Sequence, residues 1–149
     1  MNESTTYLVD TNVFVYAYIG EDLVKYERAN QLLNQIEAGQ VGHVSTQVLN
    51  ELFSRLIRGT QRPDVIADAE ETVTTLALRW TVLDTTRETV IEAIRGVRMY
   101  RFAYWDSLIW AAAKLNGVPY VLSEDFSHGQ TLEGVTFLNP FTSILSLEG

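Results

Sequence analysis

The sequence predicts an α/β domain built on a mostly parallel sheet, and three observations predict it. Short apolar or β-branched runs (Thr6–Val9, Gly42–Ser45, Trp80–Leu83, Tyr120–Leu122 and Val135–Leu138) alternate with longer stretches of helical periodicity. Hydrophobic residues make up 46% of the chain and charged residues 20%, with only three prolines, which is the balance of a protein that folds around a core. At 149 residues there is room for one sizeable core and not for two, so residues 1–149 read as one domain.

Each element follows from its local pattern. The run from Thr6 ends abruptly at Asp10, and Thr11 or Asn12 can then cap a helix through Val13, Phe14, Tyr16 and Ala17. Residues Asp22 to Ala38 carry Leu23, Ala29, Leu32, Leu33 and Ile36 at near-helical spacing, and Gly39 follows as a stop. After the brief strand Gly42–Ser45, Ser45 or Thr46 starts a helix with Val48, Leu49, Leu52, Phe53, Leu56 and Ile57 on its apolar face, running to Gly59 with Glu51 inside it. Pro63 suits the first turn of the next helix, through Val65, Ile66, Ala69, Val73, Leu76 and Ala77. Thr86 with Thr89 opens another, carrying Val90, Ile91, Ile94 and Val97. Trp105 to Asn116 is an alanine-rich apolar helix that stops at Gly117.

Composition also excludes. Cysteine is absent, which removes disulfides, thiolate metal sites and cysteine nucleophiles, and leaves His43 and His128 as the only nitrogen ligands for a zinc site. No apolar run approaches the roughly 20 residues of a membrane span, and the N-terminus lacks a basic start with an apolar stretch, so a cytoplasmic protein with no membrane association is expected. The formal net charge of −8 is opposite to that of a protein holding nucleic acid by phosphate contacts alone. Carboxylates gathered to hold cations would change the potential that a phosphate meets, so the placement of the acids matters more than their number.

Ligands gather in such a sheet at the carboxyl ends of the strands, and four acids are candidates to meet there. Asp10 follows Tyr7-Leu8-Val9, and Asp125 follows Tyr120-Val121-Leu122-Ser123-Glu124. Asp106 lies in the first turn of its helix, where the helix dipole favours an anion, and Glu51 sits among apolar positions, where a carboxylate needs a partner. Each also has a plainer reading: Asp10 as a capping or turn residue, Asp106 as a helix N-terminal acid, Glu51 as the partner of Arg55 one turn on, and Asp125 as a loop turn. Taken together, converging carboxylates would repel one another unless cations were present, and oxygen-only ligands suit Mg²⁺ or Mn²⁺ rather than zinc.

The ordered set Leu8-Val9-Asp10-Thr11-Asn12, Glu51 in an apolar helix, Tyr104-Trp105-Asp106-Ser107-Leu108-Ile109, Leu122-Ser123-Glu124-Asp125-Phe126 and Asn139-Pro140-Phe141 resembles the PIN-domain nucleases, most of all the VapC-type toxins. The resemblance implies a PIN-like three-layer α/β/α domain and metal-dependent endoribonuclease activity with Mg²⁺ or Mn²⁺. It implies Asp10, Glu51, Asp106 and Asp125 as the acidic ligands, with Asn12 and Ser123 as polar supports. Glu124, beside Asp125, should point elsewhere along an extended segment. A cognate antitoxin that fills the groove and a homodimer are implied as partners. Arg55, Arg58 and Arg62, and Arg95, Arg98 and Arg101, form two basic groups able to contact RNA phosphates, and Tyr100, Phe102, Tyr104 and Trp105 could stack on unpaired bases. The same aromatics read equally as core, and the arginines as a solvated face.

Rival chemistries lack their residues. A haloacid-dehalogenase-like phosphatase wants a second aspartate where Asn12 stands, and a Ser-His-Asp hydrolase wants a Gly-x-Ser-x-Gly elbow that the chain does not have. There is no glycine-rich phosphate loop. The remaining alternative is a PIN-like fold that has lost catalysis and serves as a binding module.

Overall fold

The computed structural model describes residues 5–142. Among these, six strands form one sheet: β1 (Tyr7–Val9), β2 (Gly42–Ser45), β3 (Thr81–Leu83), β4 (Tyr120–Leu122), β5 (Thr131–Leu132) and β6 (Val135–Leu138), in the order β3-β2-β1-β4-β6-β5. All neighbours pair in parallel except β5 with β6. The helices are α1 (Thr11–Ile19), α2 (Leu23–Gly39), α3 (Thr46–Leu56), α4 (Pro63–Arg79), α5 (Arg87–Tyr100) and α6 (Tyr104–Leu115).

The layers follow from handedness. The chain steps from β1 to β2 to β3 in one direction, through α1 and α2 and then through α3 and α4. It then returns across β2 and β1 through α5 and α6 to reach β4. Right-handed crossovers therefore put α1 to α4 on one face and α5 with α6 on the other. The packing agrees: α1 lies against α2 and α3, α3 against α4, and α5 against α6. Phe14, Phe137 and Trp110 are fully buried in the core between these layers.

Local differences from the sequence reading have identifiable causes. The cap of α1 is Asp10 itself, whose side chain accepts from Thr11 N–H at 2.8 Å and whose carbonyl accepts from Val13 N–H at 3.2 Å, so neither Thr11 nor Asn12 is the cap. Gly39 is inside α2, and Gln40 takes the left-handed closing position at φ 54°. Trp80 closes α4 through its N–H to Leu76 rather than opening β3. The two-residue β5 was not anticipated. It forms because Glu133 (φ 51°) and Gly134 (φ 87°) make a tight turn that folds it back onto β6.

Two glycines set how closely neighbouring elements approach. A Cβ on Gly42 would lie 2.6 Å from the Trp80 ring and 2.8 Å from Ile36, so β2 meets α2 and Trp80 only with glycine there. A Cβ on Gly96 would lie 2.3 Å from Ser107 Oγ, and Ser107 in turn donates to the Ala93 carbonyl at 2.7 Å. This close approach of α5 and α6 fixes the first turn of α6, which carries Asp106.

Candidate functional site

β1 and β4 are neighbours in the sheet, and the helix that follows β1 and the helix that precedes β4 lie on opposite faces. A crevice opens at their carboxyl ends, as open α/β sheets require. It is a cleft of about 1080 Å³, with α1 on one side, α3 on another and the start of α6 across from them.

Asp10, Asp106 and Asp125 converge in this cleft, each offering a carboxylate oxygen within 4.8 Å of the others. Asp10 is buried, Asp106 half-buried and Asp125 exposed. The buried one is held most closely. Ser123 Oγ donates to Asp10 Oδ2 at 2.7 Å and accepts from Asn12 Nδ2 at 3.2 Å and from Asp125 N–H at 3.1 Å, which uses the hydroxyl's donor and both its acceptor positions. Asn12 Nδ2 also reaches Asp125 Oδ2 at 3.2 Å and Asp10 Oδ2 at 3.4 Å. Asn12 and Ser123 thus tie together two acids that come from different strands.

The electrostatics follow from burial and like charge. Burial pushes the Asp10 carboxyl up to about 7, against the lowering effect of its bonds from Ser123 and Thr11, and Asp125 and Glu51 raise it further. Asp106 is pushed up to about 6 by burial, then by Asp125 and Glu51. Anions placed this way destabilise one another when the site is ionised, and a cation among them removes that cost. The donors are all carboxylate oxygens with water access through Asp125, a set that fits a hard divalent ion such as Mg²⁺ or Mn²⁺.

The model of the PIN domain family matches residues 7–131. The chain belongs to the PIN-domain family. No curated protein matches its sequence significantly. Solved structures of similar fold include a toxin–antitoxin complex from Klebsiella pneumoniae (TM-score 0.66, 14% identity, 91% of this chain and 98% of that one). They also include DNA-bound VapBC from Salmonella typhimurium (0.65, 16%, 89% and 96%) and VapC20 from Mycobacterium tuberculosis, a sarcin–ricin loop cleaving toxin (0.60, 16%, 78% and 87%). At such identities the likeness is one of fold.

Within this PIN domain the remaining candidate residues fall into three groups. Glu51 lines the cleft but is exposed rather than enclosed by apolar groups, because Val48 and Leu52 turn inward while position 51 turns to the cleft. It accepts from Gln47 Nε2 at 2.7 Å and not from Arg55, and it is not among the three acids that meet within 4.8 Å. Arg55 and Arg58 line the same wall. Arg98 and Arg101 are exposed and do not line the cleft, and Arg101 is the left-handed cap of α5 at φ 58°. Arg95 and Arg62 are committed elsewhere, Arg95 to Glu92 and Glu133, Arg62 to Asp64. The aromatics divide likewise. Tyr100 and Phe102 pack on Trp110 and Tyr104 is half-buried, whereas Trp105 is 65% exposed and lines the cleft. His128 Nδ1 accepts from Asn139 N–H at 2.9 Å, joining two loops.

The sequence reading missed Gln47, Tyr16 and Lys25. Gln47 donates to Glu51 and also to the Trp105 carbonyl at 3.0 Å, joining α3 to the start of α6 across the site. Its place one turn before Glu51 was the available signal. Glu124 points away from the three aspartates, to Lys25 Nζ at 2.9 Å and Tyr16 Oη at 2.7 Å.

Proposed function

We propose that this PIN domain is a divalent-metal-dependent endoribonuclease that hydrolyses RNA phosphodiester bonds, and that it is the toxin of a toxin–antitoxin pair. The observation that carries the reading is the meeting of Asp10, Asp106 and Asp125 in an open cleft of a PIN fold. The structures of similar fold that are named as toxins or toxin–antitoxin complexes support the biological setting.

In this reading the three aspartates hold Mg²⁺ or Mn²⁺. A divalent ion held there would supply Lewis acidity, able to lower the pKa of a bound water and to offset charge on a phosphate. The chain's own residues do the rest. Ser123 and Asn12 keep the Asp10 and Asp125 carboxylates aimed together, and Glu51, oriented by Gln47, adds a fourth negative charge. No side-chain nucleophile is required. Arg55 and Arg58 lie on the α3 wall, where they meet the phosphates flanking the cut, and exposed Trp105 offers a face to an unpaired base. An antitoxin that silences the enzyme would present a basic group to the same acids.

The test is incubation of total RNA with purified protein, with Mg²⁺ or Mn²⁺ and with a chelator, beside Asp106→Asn. Cuts that need metal and vanish in the variant are expected. Equal cutting by variant and wild type would point to a contaminating nuclease, and tight partner binding with no cutting under either metal would replace the enzyme with a binding module. Arg55→Ala with Arg58→Ala is expected to raise KM about tenfold or more with little change in kcat, since a cation that meets phosphate contributes to the binding of every RNA sequence alike. An unchanged KM and an unchanged salt dependence would remove these arginines from the RNA path.

A further inference from the structure

We infer that Lys25 is a positioning residue for Asp125: together with Tyr16 it clamps Glu124, and the clamp fixes the loop backbone that presents Asp125 to the acidic site. The inference rests on the reading of the three aspartates as a metal site.

Asp125 is the most exposed of those aspartates and the one carried by a loop, whereas Asp10 caps α1 and Asp106 sits in the first turn of α6. Asp125 lies on the loop after β4, and its carboxylate is held by one side chain, Asn12, at 3.2 Å. A ligand in that position is useful only if its backbone is fixed, since a free loop would scatter the carboxylate. The bond from Asp125 N–H to Ser123 Oγ fixes that backbone at one point, and the two neighbours of Asp125 fix it on either side. On one side Phe126 is buried and stacks on Phe137, with ring centroids 4.1 Å apart and planes 9° from parallel. On the other side is Glu124, whose two carboxylate oxygens are taken separately: Oε1 accepts from Tyr16 Oη at 2.7 Å and Oε2 from Lys25 Nζ at 2.9 Å.

The ring of contacts closes on itself. Lys25 Nζ also donates to Tyr16 Oη at 3.1 Å and lies 4.6 Å from the centre of the Tyr16 ring and 5.4 Å from that of Phe141. Three separate segments, α1, α2 and the loop after β4, therefore meet at one carboxylate. Both Lys25 and Glu124 are largely shielded, with side chains 31% and 24% exposed, so the pair is less screened than a surface ion pair. The clamp also takes up both oxygens of the acid next in sequence to Asp125, which keeps Glu124 off the cation.

A positioning role and a mere charge effect predict different signs. If Lys25 acted only through space, removing it would leave an extra anion near the site and strengthen cation binding, while removing Glu124 would leave an extra cation and weaken it. Positioning requires both removals to weaken it. The experiment is Mn²⁺ binding by calorimetry on the full chain, for wild type, Lys25→Met, Glu124→Gln, Lys25→Arg and Asp106→Asn, with melting temperatures in chelator alongside. Lys25→Met and Glu124→Gln are each expected to weaken Mn²⁺ binding about tenfold, the lower end for groups that orient a ligand. Lys25→Arg is expected to keep most of the affinity, and the Lys25 and Glu124 variants to melt in chelator close to wild type. Unchanged affinity in Lys25→Met, or opposite shifts in Lys25→Met and Glu124→Gln, overturns the clamp while leaving the metal site standing. Absence in wild type of any Mn²⁺ binding that Asp106→Asn removes overturns the metal site, and the clamp with it.

Discussion

Asp10→Asn is expected to reduce metal-dependent cleavage by more than about a hundredfold, beyond the range for a group that only orients a ligand, and at the same time to raise the melting temperature of the metal-free protein at pH 8. The two effects share one cause. Asp10 is 5% exposed, and burial raises its carboxyl from 3.8 to about 7. Holding it ionised at pH 8 therefore costs the fold on the order of 4 kcal/mol. The amide keeps the shape and removes the charge. It can still accept from Thr11 N–H, but Ser123 Oγ, which now donates to Asp10 Oδ2, would have to re-aim its hydroxyl, at a cost of about 1 kcal/mol. The net gain is about 2–3 kcal/mol. In a chain of this size that raises the melting temperature by roughly 5–10 °C. Thermal melts in chelator at pH 8, paired with cleavage rates in Mn²⁺, check both halves. A variant that melts lower than wild type at pH 8 would mean that Asp10 serves the fold through its hydrogen bonds more than it strains it through burial.

That opposition between activity and stability explains what was legible in the sequence. Asp10 and Asp125 could be placed because each stands at the end of a short apolar strand, and strand ends in a parallel sheet share a rim. Asp106 could be placed because an alanine-rich helix packs closely and its first turn has few ways to face. Family resemblance then ordered the set, and the family match over residues 7–131 covers Asp10, Asp106 and Asp125 together.

Glu51 shows where local pattern misleads. Its neighbours Val48 and Leu52 are buried, and the sequence suggested an acid enclosed with them. A helix rotates by about 100° per residue, however, and the step from 52 back to 51 carries the side chain off the apolar stripe and into the cleft. The arginines show a second limit. Arg95, Arg98 and Arg101 share a helical spacing, but whether a helical face meets the cleft depends on how α5 docks, which no spacing within α5 encodes. Lys25 and Glu124 are 99 residues apart, and Glu133 takes up Arg95 and Lys114 on the far side of the molecule. Such pairs are set by the sheet order, in which β4 returns to lie beside β1, and become visible only once that order is known.

Between pH 5 and pH 8 the metal-free protein is expected to lose stability, and Mn²⁺ to restore it increasingly as the pH rises. Asp10 at about 7 and Asp106 at about 6 both lie above the ordinary 3.8 of an unfolded chain. The folded state therefore binds more protons than the unfolded state across this window, and stability falls as pH rises. Their favourable contribution is complete below about pH 4 and is lost as the pH passes through the raised values. Glu133, lowered to about 2 by Tyr100, Lys114 and Arg95, acts in the opposite sense but only in more acidic solution, where its contribution is lost as the pH falls through that value. His43 also opposes, since burial lowers its pKa and favours its neutral form as the pH rises past the usual histidine value. Comparison with Asp10→Asn separates these contributions, because His43 is unchanged there while Asp10 no longer titrates. A divalent ion reverses the slope for a simple reason: it binds the ionised carboxylates, so proton release and metal binding are coupled. At a hundred times its dissociation constant it adds about 2.7 kcal/mol. Melting curves at four pH values between 5 and 8, in chelator and in saturating Mn²⁺, should diverge toward high pH for wild type and stay nearly parallel for Asp10→Asn. Wild-type and variant curves in chelator that run parallel across the window would show that Asp10 is not the strained, ionised centre of the site, and the metal would then need another source of affinity than the relief of its charge.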